Sequence, residues 1–484
     1  MQRKTKIVAT LGPASASEEK IARLLRAGVN VVRLNFSHGT SESHIERANL
    51  VRAIADKMEL HVGILCDLQG PKVRIGKFEN QQIQLNNGDL FVLDADCMLG
   101  DQQRVGLDYK NLPHEVKEGT VLLLDDGRIT LEVNRVRGNQ IYCVVMTGGT
   151  LSNNKGINLQ GGGLSAEALT AKDIADIQTA VALEADYIAI SFPKNAADMA
   201  RARTLIQQAG GHASLVAKIE RAEAIEHLES IIDVSEVVMV ARGDLGVEMG
   251  DAAIPGLQKR IIRLARARNK LVITATQMME SMIQNPIPTR AEVSDVANAV
   301  LDGTDAVMLS AETASGNYPV ETVEAMHRVC VEAEKEYESM HHIERRAHQH
   351  HRVDESIAAA AVFTARNYSV KAIVALTVSG NSAQWLSRAD CAVPIYALSP
   401  DLRARRKLTL HRNVFPFAIC QQDRSRDEIF SDVESVLTNA KLVELGDEVL
   451  VTYGEPFGTL GGTNSLKVIQ ISAPNAKAAD VVKK

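Results

Sequence analysis

Short runs of apolar, β-branched residues recur along the chain at 6–11, 31–36, 62–68, 187–192, 215–219, 237–241, 271–275 and 306–309. Near-continuous apolar runs of this kind fit strands buried on both faces of a parallel sheet. Between most of them lie amphipathic segments, such as 18–27, 42–56, 171–183 and 256–269. Eight strand–helix units predict an α/β fold, a (β/α)8 TIM barrel. A doubly wound open sheet is the competing architecture for the same alternation.

The third unit is interrupted. Between Pro71 and about Ala166 the pattern changes to short alternating segments, such as 120–124 and 129–136. Asn87-Gly88, Asp126-Gly127 and Gly138-Asn139 sit between such segments as turn signals. This predicts a small all-β, barrel-like domain inserted after the third barrel strand. Gly161, Gly162 and Gly163 near its exit suit a hinge, although a plain surface turn fits them equally.

Beyond the barrel come a charged helix and a stretch with five histidines between His341 and His351. Interleaved Arg, Glu and Gln favour a solvated linker there over a metal site. A third region then carries strand-like runs at 372–377, 394–398, 414–419, 448–453 and 466–471, with helical segments between most of them. The expected organisation is therefore a barrel domain at 1–70 and 167–345, an inserted β lid at 71–166 and a C-terminal α/β regulatory domain at 346–484.

Composition narrows the function classes. The 484 residues carry a formal net charge of -6 with both signs interspersed, which gives no footprint for nucleic acid or an anionic membrane. Hydrophobic residues at 45% and charged residues at 24% are ordinary for a globular protein. The six cysteines are scattered without C-x-x-C or Cys/His ligand spacing, which fits a reducing compartment. The opening residues hold no apolar signal region, and no run reaches membrane-spanning length. A cytoplasmic location is expected.

In a TIM barrel the functional groups gather at the C-terminal ends of the strands. Here those ends carry Arg33, Asn35, Ser37 and His38 (second strand), Asp67 (third), Lys218 and Glu220 (fifth), and Arg242, Gly243 and Asp244 (sixth). Thr276 and Gln277 follow the seventh strand, and Ser310 and Glu312 the eighth. One carboxylate at a strand end is usually a helix cap. So many polar groups at one rim point to a site. Glu220 and Asp244 are hard oxygen ligands suited to Mg²⁺ or Mn²⁺. Lys218 stands two residues before Glu220, so on a strand both face the same way. An ammonium beside a divalent metal suits phosphoryl transfer, and Arg33 adds a guanidinium fork for phosphate. Gly243 allows a ligand close to the backbone. No P-loop, nucleophile elbow or dinucleotide fingerprint occurs in its proper context. This spacing alone leaves other barrel enzymes open, including metal-dependent aldolases and lyases that act on pyruvate enolates.

The motifs are more specific. Residues 5–15 (TKIVATLGPAS), 32–39 (VRLNFSHG), 217–220 (AKIE) and 239–246 (MVARGDLG) closely resemble those of pyruvate kinases. Residues 275–282 (ATQMMESM), 288–292 (PTRAE) and 308–314 (MLSAETA) continue the resemblance, which runs along the whole chain. It implies transfer of a phosphoryl group from phosphoenolpyruvate to ADP, with Mg²⁺ or Mn²⁺ held by Glu220 and Asp244. Lys218, Arg33 and Thr276 take the catalytic roles, and Gly243 and Asp244 contact the substrate with them. Asn35, His38, Arg74 and Lys155 match nucleotide contacts, Lys155 from the NKGINL segment at 154–159 of the insert. Asn35, Ser37 and Asp67 match a monovalent-cation shell. A homotetramer is also implied.

Two departures from the family stand out. Residues 68–72 read LQGPK where many members have a Thr-Lys-Gly-Pro-Glu pattern, so Lys72 replaces a glutamate. Its ammonium is expected near Asp67 as a substitute for K⁺, which would then not be required. Ser43 stands where many relatives carry an aromatic residue. In the C-terminal region, Thr377, Ser379, Gly380, Asn381 and Ser382 lie between a strand and a helix, where free amides make an anion site. The family binds phosphorylated effectors at this loop, with 454–459 and 461–464 as its facing loop; a simple helix cap is the alternative. A nucleotide-independent lyase and a catalytically silent effector-binding protein are the competing functions.

Overall fold

The structure, a computed structural model, describes residues 2–340, 352–420, 424–458 and 461–472. The strands Lys6–Thr10, Val31–Asn35, Gly63–Asp67, Tyr187–Ile190, Ser214–Ile219, Val237–Ala241, Leu271–Ala275 and Ala306–Leu309 form a closed barrel. All neighbours are parallel, and the first strand pairs with the eighth from Lys6↔Ala306 to Ala9↔Leu309. Closure rules out the open sheet. The apolar runs are continuous because both faces are covered. Val8, Val216, Met239 and Ile273 cluster inside the barrel. Ile7, Ala217, Val238 and Val272 pack outward against the helices. The fourth strand ends earlier than its apolar run, because Phe192 adopts a left-handed φ of 56° and turns the chain.

Helix starts are written locally. Thr40 and Ser43 form a capping box before the helix Ser41–Lys57, and Thr170 and Asp173 do the same before Ala171–Ala182. Ser43 thus has a local role at its non-aromatic position. Asp173 also accepts from the Gly70 amide at 3.0 Å, which anchors the chain where it leaves the third strand.

Between the third and fourth barrel strands stands a six-stranded sheet with a two-stranded companion. Phe91, Leu93, Leu122, Leu131 and Ile141 give it a hydrophobic core of its own. Its exit passes through Gly161, Gly162 and Gly163 at φ 84°, 78° and 109°, a run that only glycine adopts readily. The Gly163 amide donates to Glu223 at 2.6 Å and the Gly161 amide to the Glu248 carbonyl at 3.1 Å. The exit is therefore held to the barrel rim. Burial pushes the Glu248 carboxyl up to about 7.

The C-terminal sheet has the order Val414–Ala418, Ile395–Ser399, Ala372–Leu376, Glu448–Gly454, Thr463–Gln470, with the last strand antiparallel. Helices cover both faces. This layer docks under the N-terminal end of the barrel. Lys6 Nζ donates to the Val414 carbonyl at 2.6 Å, and Arg388 pairs with the fully buried Asp305. The histidine-rich stretch 341–351 and Thr459 lie outside the described residues.

Candidate active site

Residues from the first five strands build the centre of the rim. Arg33 lies on the second strand and donates through Nε to Asp67 Oδ2 at 2.7 Å and through Nη1 to Thr10 Oγ1 at 2.9 Å. Lys218, on the fifth strand, donates to Ser191 Oγ at 2.7 Å. It pairs with Glu220 at 2.8 Å and with Asp67 at 3.3 Å. Ser191 Oγ donates to the Leu68 carbonyl at 2.7 Å, so its lone pairs face the ammonium. The Phe192 amide donates to Glu220 Oε2 at 3.0 Å.

These charges set one another. Burial alone would raise the Asp67 carboxyl, but Lys218 and Arg33 outweigh it and hold it below its usual value. Burial alone would lower the Lys218 ammonium, but Asp67 and Glu220 hold it above. Glu220 is the group left short of positive charge. Burial raises it, and Asp244 adds to the rise against the pull of Lys218.

Asp244 lies in the helix Arg242–Met249, directly after the sixth strand. Its Oδ1 accepts from Lys72 Nζ at 3.2 Å. Glu220 and Asp244 fit a divalent cation on these grounds: both are carboxylates, each already faces an ammonium, and the Asp244 charge raises the Glu220 carboxyl. Among the described residues no group of three or more His, Cys, Asp or Glu side chains converges as a metal cage. Two carboxylates leave coordination positions for water and substrate oxygens, which is how Mg²⁺ is usually held.

Thr276 follows the seventh strand at φ 68° and Gln277 at φ 52°. A β-branched residue in the left-handed region is an outlier that costs about 1–3 kcal/mol. Arg242 holds the turn. It donates to the Thr276 carbonyl at 2.7 Å and the Ala275 carbonyl at 3.2 Å, and pairs with Asp295 at 2.7 Å. The turn aims Thr276 Oγ1 at the Gly243 amide, which donates to it at 2.8 Å. A Cβ at Gly243 would meet that hydroxyl at 3.6 Å, an ordinary contact. Packing within the chain therefore does not itself demand glycine there.

The remaining sequence candidates are more dispersed. Asn35 and Asp67 are register partners on adjacent strands, and Asn35 Oδ1 accepts from the Ser37 amide at 3.1 Å. His38 is exposed. Arg74 donates to the Asn154 carbonyl at 3.0 Å, and Lys155 pairs with Asp125 at 2.7 Å, both within the insert. Lys72 differs from its expected place. It approaches Asp244 and Asp126, while the ion pairs of Asp67 are with Arg33 and Lys218. The reason is direction: residue 72 leaves the barrel toward the insert and reaches the sixth strand from above. Glu312 is a scaffold, accepting from the Ser310 and Met279 amides. Sequence reasoning missed Thr10 and Ser191. Their signal was position alone, at the ends of the first and fourth strands. Asp125 and Asp126 were missed as well; both have left-handed backbones at the tip of an insert hairpin.

Comparison with known proteins agrees with this fold. The pyruvate kinase barrel domain model matches residues 2–323, and the pyruvate kinase alpha/beta domain model matches 355–469. The chain belongs to the pyruvate kinase family. It is 51% identical over 477 residues to pyruvate kinase II of Salmonella typhimurium, covering 97% of this chain and 99% of that one. A Geobacillus stearothermophilus pyruvate kinase is 40% identical over 100% of this chain and 83% of its own. The crystal structure of a pyruvate kinase from Cryptosporidium parvum superposes with a TM-score of 0.88 at 34% identity, covering 97% and 96% of the two chains. As a member of this family the chain is a phosphotransferase. Among the described residues no helix is long and apolar enough to cross a membrane.

Proposed function

We propose that this chain transfers the phosphoryl group of phosphoenolpyruvate to ADP, giving pyruvate and ATP. The observation that carries the reading is the Lys218 ammonium, buried between Ser191, Glu220 and Asp67 at the open end of the barrel and one carboxylate away from Arg33. Its position suits the charge that develops on phosphoryl oxygens and then on the enolate. Arg33 would fix the phosphate. Gly243 and Asp244, at a helix start, and Thr276 would contact the carboxylate, the substrate replacing the Thr276 hydroxyl at the Gly243 amide. Glu220 and Asp244 would hold Mg²⁺ or Mn²⁺, which when bound neutralises phosphoryl charge. Thr276 is assigned to the route by which a proton reaches the enolate carbon.

Asn35 and His38 on the barrel, with Arg74 and Lys155 on the insert, would take the nucleotide between them. The insert then acts as a lid that keeps water from the transfer. Lys72 supplies a positive charge at the rim from its place beside Asp244, so K⁺ is not needed at the Asn35, Ser37 and Asp67 shell. The test is a coupled assay for pyruvate from phosphoenolpyruvate, with and without ADP and Mg²⁺. Pyruvate should form only with both, accompanied by ATP. Pyruvate formed without ADP would favour a lyase instead.

The C-terminal loop is read as the site of a phosphorylated activator. Gly380, at φ 94°, is the N-cap of the helix Asn381–Arg388, and no side chain caps it. The Thr377 hydroxyl accepts from the Gly380 amide at 2.9 Å, Ser382 bonds Thr463, and Ser379 and Asn381 are exposed. Phe457, Gly458 and Thr463 line the opposite side of the same cavity. A sugar phosphate or nucleoside monophosphate should raise the apparent affinity for phosphoenolpyruvate, and phosphoenolpyruvate should tighten its binding in return. Ser379→Glu should abolish both effects. If no compound in such a panel shifts the saturation curve, the loop is only a helix start.

A further inference from the structure

Two rim carboxylates are held by ammonium groups, and the two ammonium groups differ in kind. Lys218 lies on the fifth strand, which Glu220 directly follows, and is part of the barrel wall. Lys72 comes from the segment that leads into the inserted sheet and reaches Asp244 across 172 residues of sequence. Its Nζ also stands 4.0 Å from Asp126 Oδ1. Asp126 lies in the tip between the strands Val121–Leu124 and Ile129–Arg137. That tip approaches the helix that carries Asp244. A Cβ at Gly127 would lie 3.9 Å from Val247. Lys155 fixes the neighbouring Asp125 at 2.7 Å, which steadies the left-handed turn.

Lys72 is thus shared between a carboxylate of the barrel and a carboxylate of the insert. The first is also one that a divalent cation would need. An ammonium 3.2 Å from a carboxylate oxygen and a cation bound to the same carboxylate repel each other. The second partner is already within reach, so a rotation of the lysine stem is enough to exchange one for the other.

We propose that Lys72 is a positioning residue that occupies Asp244 before the divalent metal arrives and passes to Asp126 when the metal takes Asp244, so that metal loading draws the insert tip onto the rim. The inference rests on the assignment of Glu220 and Asp244 as the metal carboxylates. It goes further in making the lysine a competitor of the metal and a tether of the insert. It also explains why Lys72 faces Asp244 rather than Asp67. A lysine that merely adds surface charge would have no reason to sit on one of the two metal carboxylates.

The test is direct binding of Mn²⁺ to the full-length protein without substrate, by electron paramagnetic resonance or calorimetry, with thermal melts to confirm folding. Lys72→Met keeps the apolar stem and removes the charge. It should tighten Mn²⁺ by roughly tenfold, the scale on which groups around metal ligands act. Lys72→Gln should tighten it in the same direction and serves if the first variant folds poorly. Asp126→Asn removes the second partner and should weaken Mn²⁺. In the Lys72→Met background Asp126→Asn should have no further effect. Unchanged or weaker Mn²⁺ binding in Lys72→Met overturns the proposal, as does an Asp126→Asn effect that persists without the lysine. Glu220→Gln separates the two layers: if it leaves Mn²⁺ binding intact, the metal assignment fails and this inference falls with it.

Discussion

Both ends of the barrel bury charge, and they do opposite things with it. At the N-terminal end, Arg388 meets Asp305, Arg412 donates toward the Thr304 and Val300 carbonyls, and the Lys4 and Thr5 amides donate to Glu334. Lys6 donates to Val414 and lies 4.1 Å over the Phe415 ring. These groups are sealed between the barrel and the C-terminal sheet, mostly against backbone. At the other end, Arg33, Asp67 and Glu220 are buried and Lys218 is largely so, at the C-terminal rim of the barrel. There, charged side chains are paired mainly with one another. Burial and charge alone therefore do not mark a site. A site needs an opening and partners that a ligand can replace.

The sharpest way to break this comparison is to remove one charge from each end. Asp305→Ala takes away the acceptor of Arg388 and of the Val272 and Arg412 amides. Loss of one partner from a buried pair should destabilise the protein by about 3–5 kcal/mol in urea melts, while turnover per folded molecule is kept. Lys218→Met should do the reverse. Turnover should fall roughly 10²–10³-fold, about 2.7–4 kcal/mol on the scale of one preorganised electrostatic stabiliser, with the fold retained by circular dichroism. Activity close to the parent in Lys218→Met would put the chemistry elsewhere.

A smaller effect concerns pH. Burial lowers the folded Lys6 ammonium to about 7, against 10.5 for the free side chain, with Arg3 adding to the shift and Glu334 opposing it. Between these values the unfolded chain binds the extra proton, so stability should rise with pH from about 7 toward 10.5. Thermal melts across this range should show the rise in the parent and a flatter profile in Lys6→Met. The smallest expected effect is on the monovalent ion. Activity in tetramethylammonium chloride should equal that in KCl at matched ionic strength, and Lys72→Glu should create a K⁺ requirement. Strong activation of the parent by K⁺ would remove Lys72 from its role as built-in cation.

Much of this was legible in the order of residues. The barrel strands could be read because each is covered on two faces, which leaves a continuous apolar run. Arg33, Lys218, Glu220, Asp244 and Thr276 could be read because a parallel barrel puts every strand end on one rim. Ser191 could not be singled out, since a serine after an apolar run is common and its role exists only through Lys218. The partner of Lys72 was also hidden. Nothing in a sequence says that residue 72 will meet residue 244 rather than residue 67. The interdomain charges share that limit: Lys6 and Val414 are 408 positions apart.

Barrel closure also has a consequence in time. The pairing of Lys6 with Ala306 joins residues some 300 positions apart, so the first strand emerges from the ribosome long before its partner. At 5–20 residues per second the wait is roughly 15–60 s. Throughout it, Ile7, Val8 and Ala9 form an apolar edge without a neighbour on one side. The inserted sheet pairs only strands from within 82–159 and can be complete while the barrel is still open. During synthesis this chain therefore depends on whatever shields an unpaired strand for a minute or less, and the insert is its first finished part.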